Sequence, residues 1–476
     1  MTRLEFMGGC AAIASTGMMP SPAAGTPQEI ENKRAAGGAA ARTVKPVNGL
    51  CNTIRFSGNA NGELYNRYLK WYKALEIPET RFHDVAIENP GVELVDVSRI
   101  FPLFHLDESD PRNYNFAPTD VYLAKAREVG GELEFRFGEQ IEHQTAKFQI
   151  RPPADAGKWA RICLNIARHY NSGWADGFRW NIRRFSVWEE PDNDRLLDGS
   201  TKGAFESKYF AMYASLARML KSEWPSAHVG GPNTMGPGEK FVKFVKHCAA
   251  EKLPLDFAAY TFYTRDPQTF AQTIRKARTI LDDAGFGKAE LEVSEWHCAP
   301  STWNFAAPGY VESLTGPYSF AFVGAVLTVA QDAPVDRMFY YAAHVSDWSL
   351  FINHRPRPVY YVMRTFAELV RAGNRLEIPA NPRRGVYTLA AAPAGGDGVM
   401  TVSVLDAKDG ALDLSLPAGF GVKEIRRVAD ADEPAPVGGW SVAGGRLRIT
   451  VPKGSSFHRV TLQRLQAGQA IPSRKP

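Results

Sequence analysis

The sequence predicts an α/β fold, a (β/α)8 barrel with a small antiparallel β-sandwich at its C-terminal end. From Asn52 to Ala372, eight short runs rich in β-branched and aromatic residues alternate with helix-length stretches. Strands separated each time by a helix pair in parallel through right-handed crossovers, and eight such units close on themselves. Beyond Ala372 the helices stop, and short β-type runs follow one another between Gly, Pro and Asp turns. That is the pattern of stacked antiparallel sheets. A chain of 476 residues has room for both, since a barrel takes roughly 250–330.

The first strand is expected at Asn52–Phe56, followed by the helix Leu64–Leu75. The second is Thr80–Val85, and the helix Asp120–Val129 leads to the third, Leu133–Phe137, where Arg136 alternates with Phe135 and Phe137. After the helix Lys158–Tyr170 comes Arg184–Trp188, cut off at Glu189-Glu190-Pro191 because proline cannot donate a ladder hydrogen bond. Phe205–Lys221 precedes a short fifth strand, His228–Gly231, and Glu239–Glu251 precedes the sixth, Asp256–Phe262. Thr269–Ala284 leads to the seventh, Leu291–Ser294, and Ser319–Val329 to the eighth, Arg337–Ala343; the helix Val359–Ala372 ends the series. An open doubly wound sheet would call for a Gly-rich phosphate loop after the first strand, and Ser57–Gly62 lacks that spacing. These boundaries divide the chain into a barrel over 47–372, a sandwich over 373–465 and a disordered tail over 466–476.

The N-terminal region reads as targeting sequence. Residues 1–24 carry one early arginine, a small and apolar stretch to Met19, and then Pro20-Ser21-Pro22-Ala23-Ala24, the form of an export signal. Thr2–Met7 resembles a twin-arginine motif with Leu4 at the second arginine, and Gly8-Gly9-Cys10 has the form of a lipoprotein attachment site. The expected location is periplasmic or secreted, or cytoplasmic if this segment is no signal. Residues 25–46, rich in Ala, Gly and charge, read as a flexible linker. No uninterrupted apolar run of about 18 residues is present, so no membrane span is expected. A net charge of +5 is small for this length, and without an interleaved basic-aromatic patch it does not point to nucleic acid. The five cysteines form no C-x-x-C, which argues against a zinc knuckle or a redox pair. Cys298 has His297 beside it, but neighbours on extended backbone face opposite ways, so the thiol is expected to be inert.

Two strand tips carry chemistry. Glu190 ends the fourth strand beside Trp188, and Glu295 ends the seventh beside Trp296. Carboxyl groups at the C-terminal mouth of a barrel, each next to a flat aromatic ring, fit the two-carboxylate cleavage of glycosides. Isolated strand-end glutamates are otherwise ordinary surface groups; the pairing sets these two apart.

With these motifs the chain resembles glycoside hydrolase family 39, in the clan of retaining glycosidases on (β/α)8 barrels. That clan carries W-N-E-P after strand four, matched here by Trp188-Glu189-Glu190-Pro191 except at its second position, and a nucleophilic glutamate after strand seven, matched by Ser294-Glu295-Trp296. The resemblance extends to Thr80-Arg81-Phe82-His83 and to Asp256–Tyr263, and covers roughly residues 47–465. It implies that Glu190 is the acid/base and Glu295 the nucleophile of a double displacement, with no metal or organic cofactor. It also implies a carbohydrate substrate, a β-xyloside or related pentoside, with uronides, arabinosides and β-glucosides as alternatives. Two positions depart from the pattern. Glu189 replaces an asparagine that bonds the sugar 2-hydroxyl, and Thr261 replaces a histidine common on strand six.

Other strand ends supply substrate-binding candidates: His83, Arg136, Trp188, Glu189, Tyr263, Trp296, Tyr341 and Trp348. His83 either bonds a sugar hydroxyl or is structural. Arg136, if it faces the interior, needs a carboxylate partner. The resemblance places a tyrosine on the nucleophile, with Tyr263 in the better register and Tyr260 as the alternative. Glu189 either binds a substrate hydroxyl, with Arg136 or His83 balancing its charge, or turns away into a structural ion pair. Arg265, Arg355 and Arg357 are either solvated or bind a substrate carboxylate. Two other classes compete: a non-catalytic carbohydrate-binding protein on a decayed barrel, which would not retain both glutamates, and a metal-dependent barrel hydrolase, which would need an H-x-H on strand one. Oligomeric state is not legible.

Overall fold

The structure is a computed structural model. It describes residues 42–53, 63–82, 95–139, 151–193, 203, 205–344, 346–408, 410–429 and 433–466. The export signal and all but the last residues of the proposed linker lie outside these, as do His83 and Cys10.

Eight parallel strands close a barrel: β1 (Gly49–Cys51), β2 (Glu79–Arg81), β3 (Glu132–Phe137), β4 (Arg184–Val187), β5 (His228–Met235), β6 (Phe257–Thr264), β7 (Glu290–Cys298) and β8 (Arg337–Tyr340). β8 pairs back onto β1 with Gly49 opposite Phe339. A helix follows each strand: α1 (Glu63–Lys73), α2 (Ala117–Val129), α3 (Ala156–Asn171), α4 (Phe210–Glu223), α5 (Glu239–Ala250), α6 (Pro267–Asp283), α7 (Pro317–Val329) and α8 (Pro358–Ala372). The order of elements is the expected one, and the boundaries are not all so. β1 occupies Gly49–Cys51, a stretch with no β-type signal of its own, ahead of the expected Asn52–Phe56, of which 54–56 lie outside the described residues. β5 and β7 run several residues past the expected His228–Gly231 and Leu291–Ser294. Their added ends, Pro232–Met235 and Glu295–Cys298, mix polar with apolar residues, so the simple apolar alternation fades before the strand does.

The barrel interior is ionic below the mouth. Arg184 Nη1 lies 2.6 Å from Glu290, its Nη2 2.8 Å from Glu292 and its Nε 3.0 Å from Glu79. Arg337 bridges Glu79 and Glu290, and Arg81 Nε lies 3.1 Å from Glu134. Charges this deep persist because each is paired. The outward alternates of the same strands, such as Phe135, Phe185 and Val293, pack under the helices in the main apolar core.

Strands β9 (Phe351–Ile352) and β10 (Arg355–Pro356) form a small hairpin after β8. The C-terminal region then forms a six-stranded antiparallel sheet, in the order β11 (Asn374–Leu376), β12 (Val386–Ala392), β13 (Gly398–Ala407), β19 (Gly454–Arg464), β15 (Phe420–Val428), β16 (Ala435–Pro436). A three-stranded sheet, β14 (Gly410–Ser415), β18 (Arg446–Val451) and β17 (Ser441–Ala443), covers one face of it. Met400, Val402 and Val460 share that core with Leu412, Leu447 and Ile449, which makes the pair a sandwich. The opposite face of the large sheet, with Leu389, Val399 and Phe457, joins the barrel's own core.

Helix α7 lies in that junction. The stretch Tyr310–Asp332 is by length and composition apolar enough to span a membrane, its most apolar 18 residues having a mean hydropathy of 1.4, although polar residues and glycine interrupt it. Its apolarity has a local cause: most of it is buried, and a helix covered on all sides is apolar all round. Residues 43–46, assigned by composition to the linker, are anchored here. Thr43 bridges Asn374, and Lys45 Nζ donates to the Ala333 carbonyl at 2.6 Å.

Candidate active site

The turn after β4 is fixed by its neighbours on both sides. Trp188 N–H donates to the Phe137 carbonyl of β3 at 2.6 Å, and Glu190 N–H donates to the Asn233 carbonyl of β5 at 3.0 Å. Asn233 Nδ2 in turn donates to the Trp188 carbonyl at 2.8 Å. Trp188 and Glu190 both adopt left-handed backbone, φ 62° and 39°. Such φ values are uncommon for bulky residues and persist when surroundings over-determine them. Gly138 leaves the space: a Cβ there would lie 2.7 Å from the Trp188 ring. The outcome is that Trp188 turns back against Trp159 of α3, ring centroids 6.4 Å apart, while Glu189 and Glu190 face the barrel.

Glu295 reaches the same space through an irregularity. β6 and β7 run in register until Tyr260 pairs with Val293, and then Thr261 pairs with Glu295, leaving Ser294 as an extra residue. A bulge shifts the alternation of every side chain after it. Glu292 faces inward to Arg184, and strict alternation would send Glu295 outward. With the bulge, Glu295 faces inward and accepts a short hydrogen bond from Tyr263 Oη, while Trp296 points out against Phe270 of α6, 5.6 Å between centroids. Glu295 therefore lies inside a longer strand rather than past its end.

Thr261 ties the two carboxyl groups together. Its hydroxyl donates to Glu190 Oε1 at 2.8 Å, and its backbone stands opposite Glu295. Burial raises the proton affinity of Glu190 well above the usual carboxylate range, and the charges of Glu295 and Glu189 add to it. Asp192, two residues on, is pushed up to about 6 by burial. The Tyr263 phenol is held protonated, first by burial and then by the Glu295 charge.

Aromatic rings wall the Glu295 side. Tyr263 stands edge-on to Trp348 and to Trp303, each 5.6 Å away, and Trp303 stacks on Trp348 at 6.1 Å. Tyr341 meets Trp348 at 5.8 Å. Trp303 is 60% exposed at the rim. The sequence reading missed it, since a lone tryptophan in a loop has no periodic context; its place shortly after the Glu295 strand was the available signal.

Several candidates fall elsewhere. Trp188 and Trp296 are buried on the helix side of the barrel wall, so neither offers a ring to substrate. Arg136 is buried and holds the loop after β3, donating to the Glu139 carbonyl at 2.9 Å and pairing with Asp96 at 3.4 Å. Glu189 pairs with Arg81 of β2, two strands away across the barrel, and not with Arg136 of the adjacent β3, which turns to Asp96. His83 lies outside the described residues. Tyr260 packs outward on Phe241 of α5, which leaves Tyr263 as the tyrosine on Glu295. Arg265 donates to the Ala299 carbonyl at 3.0 Å, and Arg357 to the Asp347 carbonyl at 2.9 Å. Burial pushes the Cys298 thiol up to about 12 and holds His297 down to about 4, so neither is an activated pair at neutral pH. Among the described residues no group of three or more His, Cys, Asp or Glu side chains converges as a metal site.

Comparison with known proteins identifies the family. The model of "Glycosyl hydrolases family 39" matches residues 40–282, just over half of the chain. A β-xylosidase of Geobacillus stearothermophilus is 25% identical over 182 residues, which is 33% of this chain and 34% of that protein, so the match spans about a third of the relative. A glucosidase from Croceicoccus marinus superposes with a TM-score of 0.68 at 20% identity, over 89% of this chain and 97% of the other. A monomeric β-xylosidase from Caulobacter crescentus CB15 gives 0.64 at 16% identity, over 90% and 98%. At such identities the superpositions speak for the fold alone. With the family match running through β1–β6 and the 188–190 turn, the chain belongs to family 39 of the glycosyl hydrolases.

Proposed function

We propose that the protein is a retaining O-glycoside hydrolase in which Glu295 is the nucleophile and Glu190 the acid/base. A Glu295 oxygen attacks the anomeric carbon, the glycosidic C–O bond breaks, and the Glu190 proton passes to the leaving oxygen. Glu190, now ionised, takes a proton from water, whose oxygen attacks the same carbon and releases Glu295. The observation that carries this reading is Thr261, one residue that bonds Glu190 and stands opposite Glu295. Neighbouring strands lie about 4.8 Å apart, which suits the ~5–5.5 Å separation of retaining carboxyls better than the wider inverting one. The burial that keeps a proton on Glu190 suits an acid, and Tyr263 holds Glu295 in place for attack.

For the sugar, the reading is a β-xyloside or related pentoside. Its support is the β-xylosidase name borne by the Geobacillus relative and by the Caulobacter structure. The glucosidase name of the Croceicoccus structure favours a β-glucoside as the second candidate. A panel of p-nitrophenyl glycosides decides between them: the β-xyloside should give the highest kcat/KM. Glu295→Ala should lose turnover on every member, with azide restoring it as a glycosyl azide of inverted configuration. Wild-type turnover by Glu295→Ala would remove the nucleophile assignment. We read residues 1–24 as an export signal on their composition; N-terminal sequencing of protein recovered from the periplasm tests it.

A further inference from the structure

One guanidinium reaches both carboxylate-bearing strands. Arg81, fully buried on β2, pairs through Nη2 with Glu189, lies 3.1 Å from Glu134 through Nε, and reaches the Ser294 carbonyl at 3.5 Å through Nη1. Glu189 and Ser294 are the residues immediately before Glu190 and Glu295. A guanidinium is a planar fork with fixed donor directions, so it holds these neighbours at set positions. Glu189 is itself 1% exposed, and in that setting its charge is little screened by water or salt.

We propose that Glu189, clamped by Arg81, is a positioning residue for Glu190, and that its buried charge keeps the acid protonated. The proposal rests on Glu190 being the acid/base. Among the described residues, the groups facing Glu190 are Glu295 from β7, Thr261 and Tyr263 from β6, Asn233 from β5, and Glu189 and Asp192 from its own turn. Lys240 of α5 donates to the Asp192 carbonyl at 2.7 Å. Glu190 thus faces other carboxylates, and Glu189 is the one among them held in a direct ion pair with Arg81. Replacing it by an amide removes a negative charge beside Glu190 and so leaves the unchanged Arg81 charge uncancelled. That single change stabilises ionised Glu190, so the acid would lose its proton at lower pH. In the glycosyl-enzyme, where Glu295 is esterified, Glu189 is still ionised beside Glu190 and strengthens it as a base toward water.

The test is the pH dependence of kcat/KM on an aryl xyloside with a poor leaving group, for wild type, Glu189→Gln and Glu189→Asn. The alkaline limb should move down by about one pH unit or more, with activity on the acid side of the optimum better preserved than on the alkaline side. A limb that stays in place, whatever the loss in rate, would leave Glu189 a role in shape or substrate contact alone and overturn the proposal. Glu189→Asn decides the matter if Glu189→Gln does not fold. Glu190→Ala on good and poor leaving groups separates the two levels. If it fails to discriminate between them, the acid assignment itself falls. If it discriminates and the limb of the Glu189 variants is unmoved, the role of Glu189 alone falls.

Discussion

Glu190 is where burial, like charge and a strained turn act on one carboxyl group. Burial and the Glu295 and Glu189 charges favour its protonated form, and Thr261 orients the oxygen it bonds. An acid serves in proportion to how badly the leaving group needs a proton. Glu190→Ala should therefore cost about 10²–10⁴-fold in kcat/KM on an alkyl glycoside or disaccharide, and far less on a dinitrophenyl glycoside. Equal losses on both would show that Glu190 does not deliver the proton. At this scale the sequence was informative where chemistry sits next to a strand break, as at Glu190-Pro191. It was silent where charge is balanced across the barrel. Arg81 and Glu189 are far apart in the chain and adjacent in space. Arg136 looked equally suited, and its actual partner, Asp96, lies on a loop with no periodic pattern.

Among the elements, the order of strands and helices was legible, and the irregular details that build the site were not. Alternating Leu291 and Val293 announce β7, but the bulge at Ser294 depends on pairing with β6 and β8. That bulge reverses the roles of two neighbours, sending Glu295 to the mouth and Trp296 to the helices. The loop after β3 shows a related effect. Glu139 accepts from Ser98 N–H at 3.1 Å and from Ser98 Oγ at 2.6 Å, fastening the short helix Val97–Ile100 to the barrel. Burial, and next the Asp96 charge, push the Glu139 carboxyl up to about 8. Its folded value thus lies above its unfolded one, so the folded state holds the proton more tightly. The stabilisation is complete below about pH 4.3, the ordinary glutamate value, and is lost as pH rises toward 8. Glu139→Gln keeps an acceptor for Ser98 and cannot ionise. Its melting temperature should fall less than that of wild type between pH 5 and pH 8. Parallel curves for the two proteins would show that Glu139 is not the titrating group.

Across the whole molecule, the sandwich completes the barrel rather than hanging from it. β12 and β13 read as almost unbroken apolar runs because the large sheet is covered on both faces, by the small sheet on one side and by α7 and α8 on the other. Thr43 pairs with Asn374, and Arg459 of β19 lies 2.7 Å from Glu368 of α8, so contacts run along the junction. Gly324 of α7 sits at its tightest point, where a Cβ would meet Ser403 Oγ at 2.5 Å and the Phe457 ring at 2.6 Å. Both belong to central strands, so neither can retreat without moving the sheet. Overpacking of this kind costs about 1–3 kcal/mol, and Gly324→Leu should lower the melting temperature clearly, with Gly324→Ala in between. Because the barrel core and this sheet face form one continuous apolar cluster, unfolding should stay a single transition in both variants. A second, earlier transition in Gly324→Leu would mean that the sheet melts away and the barrel holds without it. The barrel should not hold: truncation after Ala372 would bare the apolar side of α7, and the shortened chain should come out insoluble.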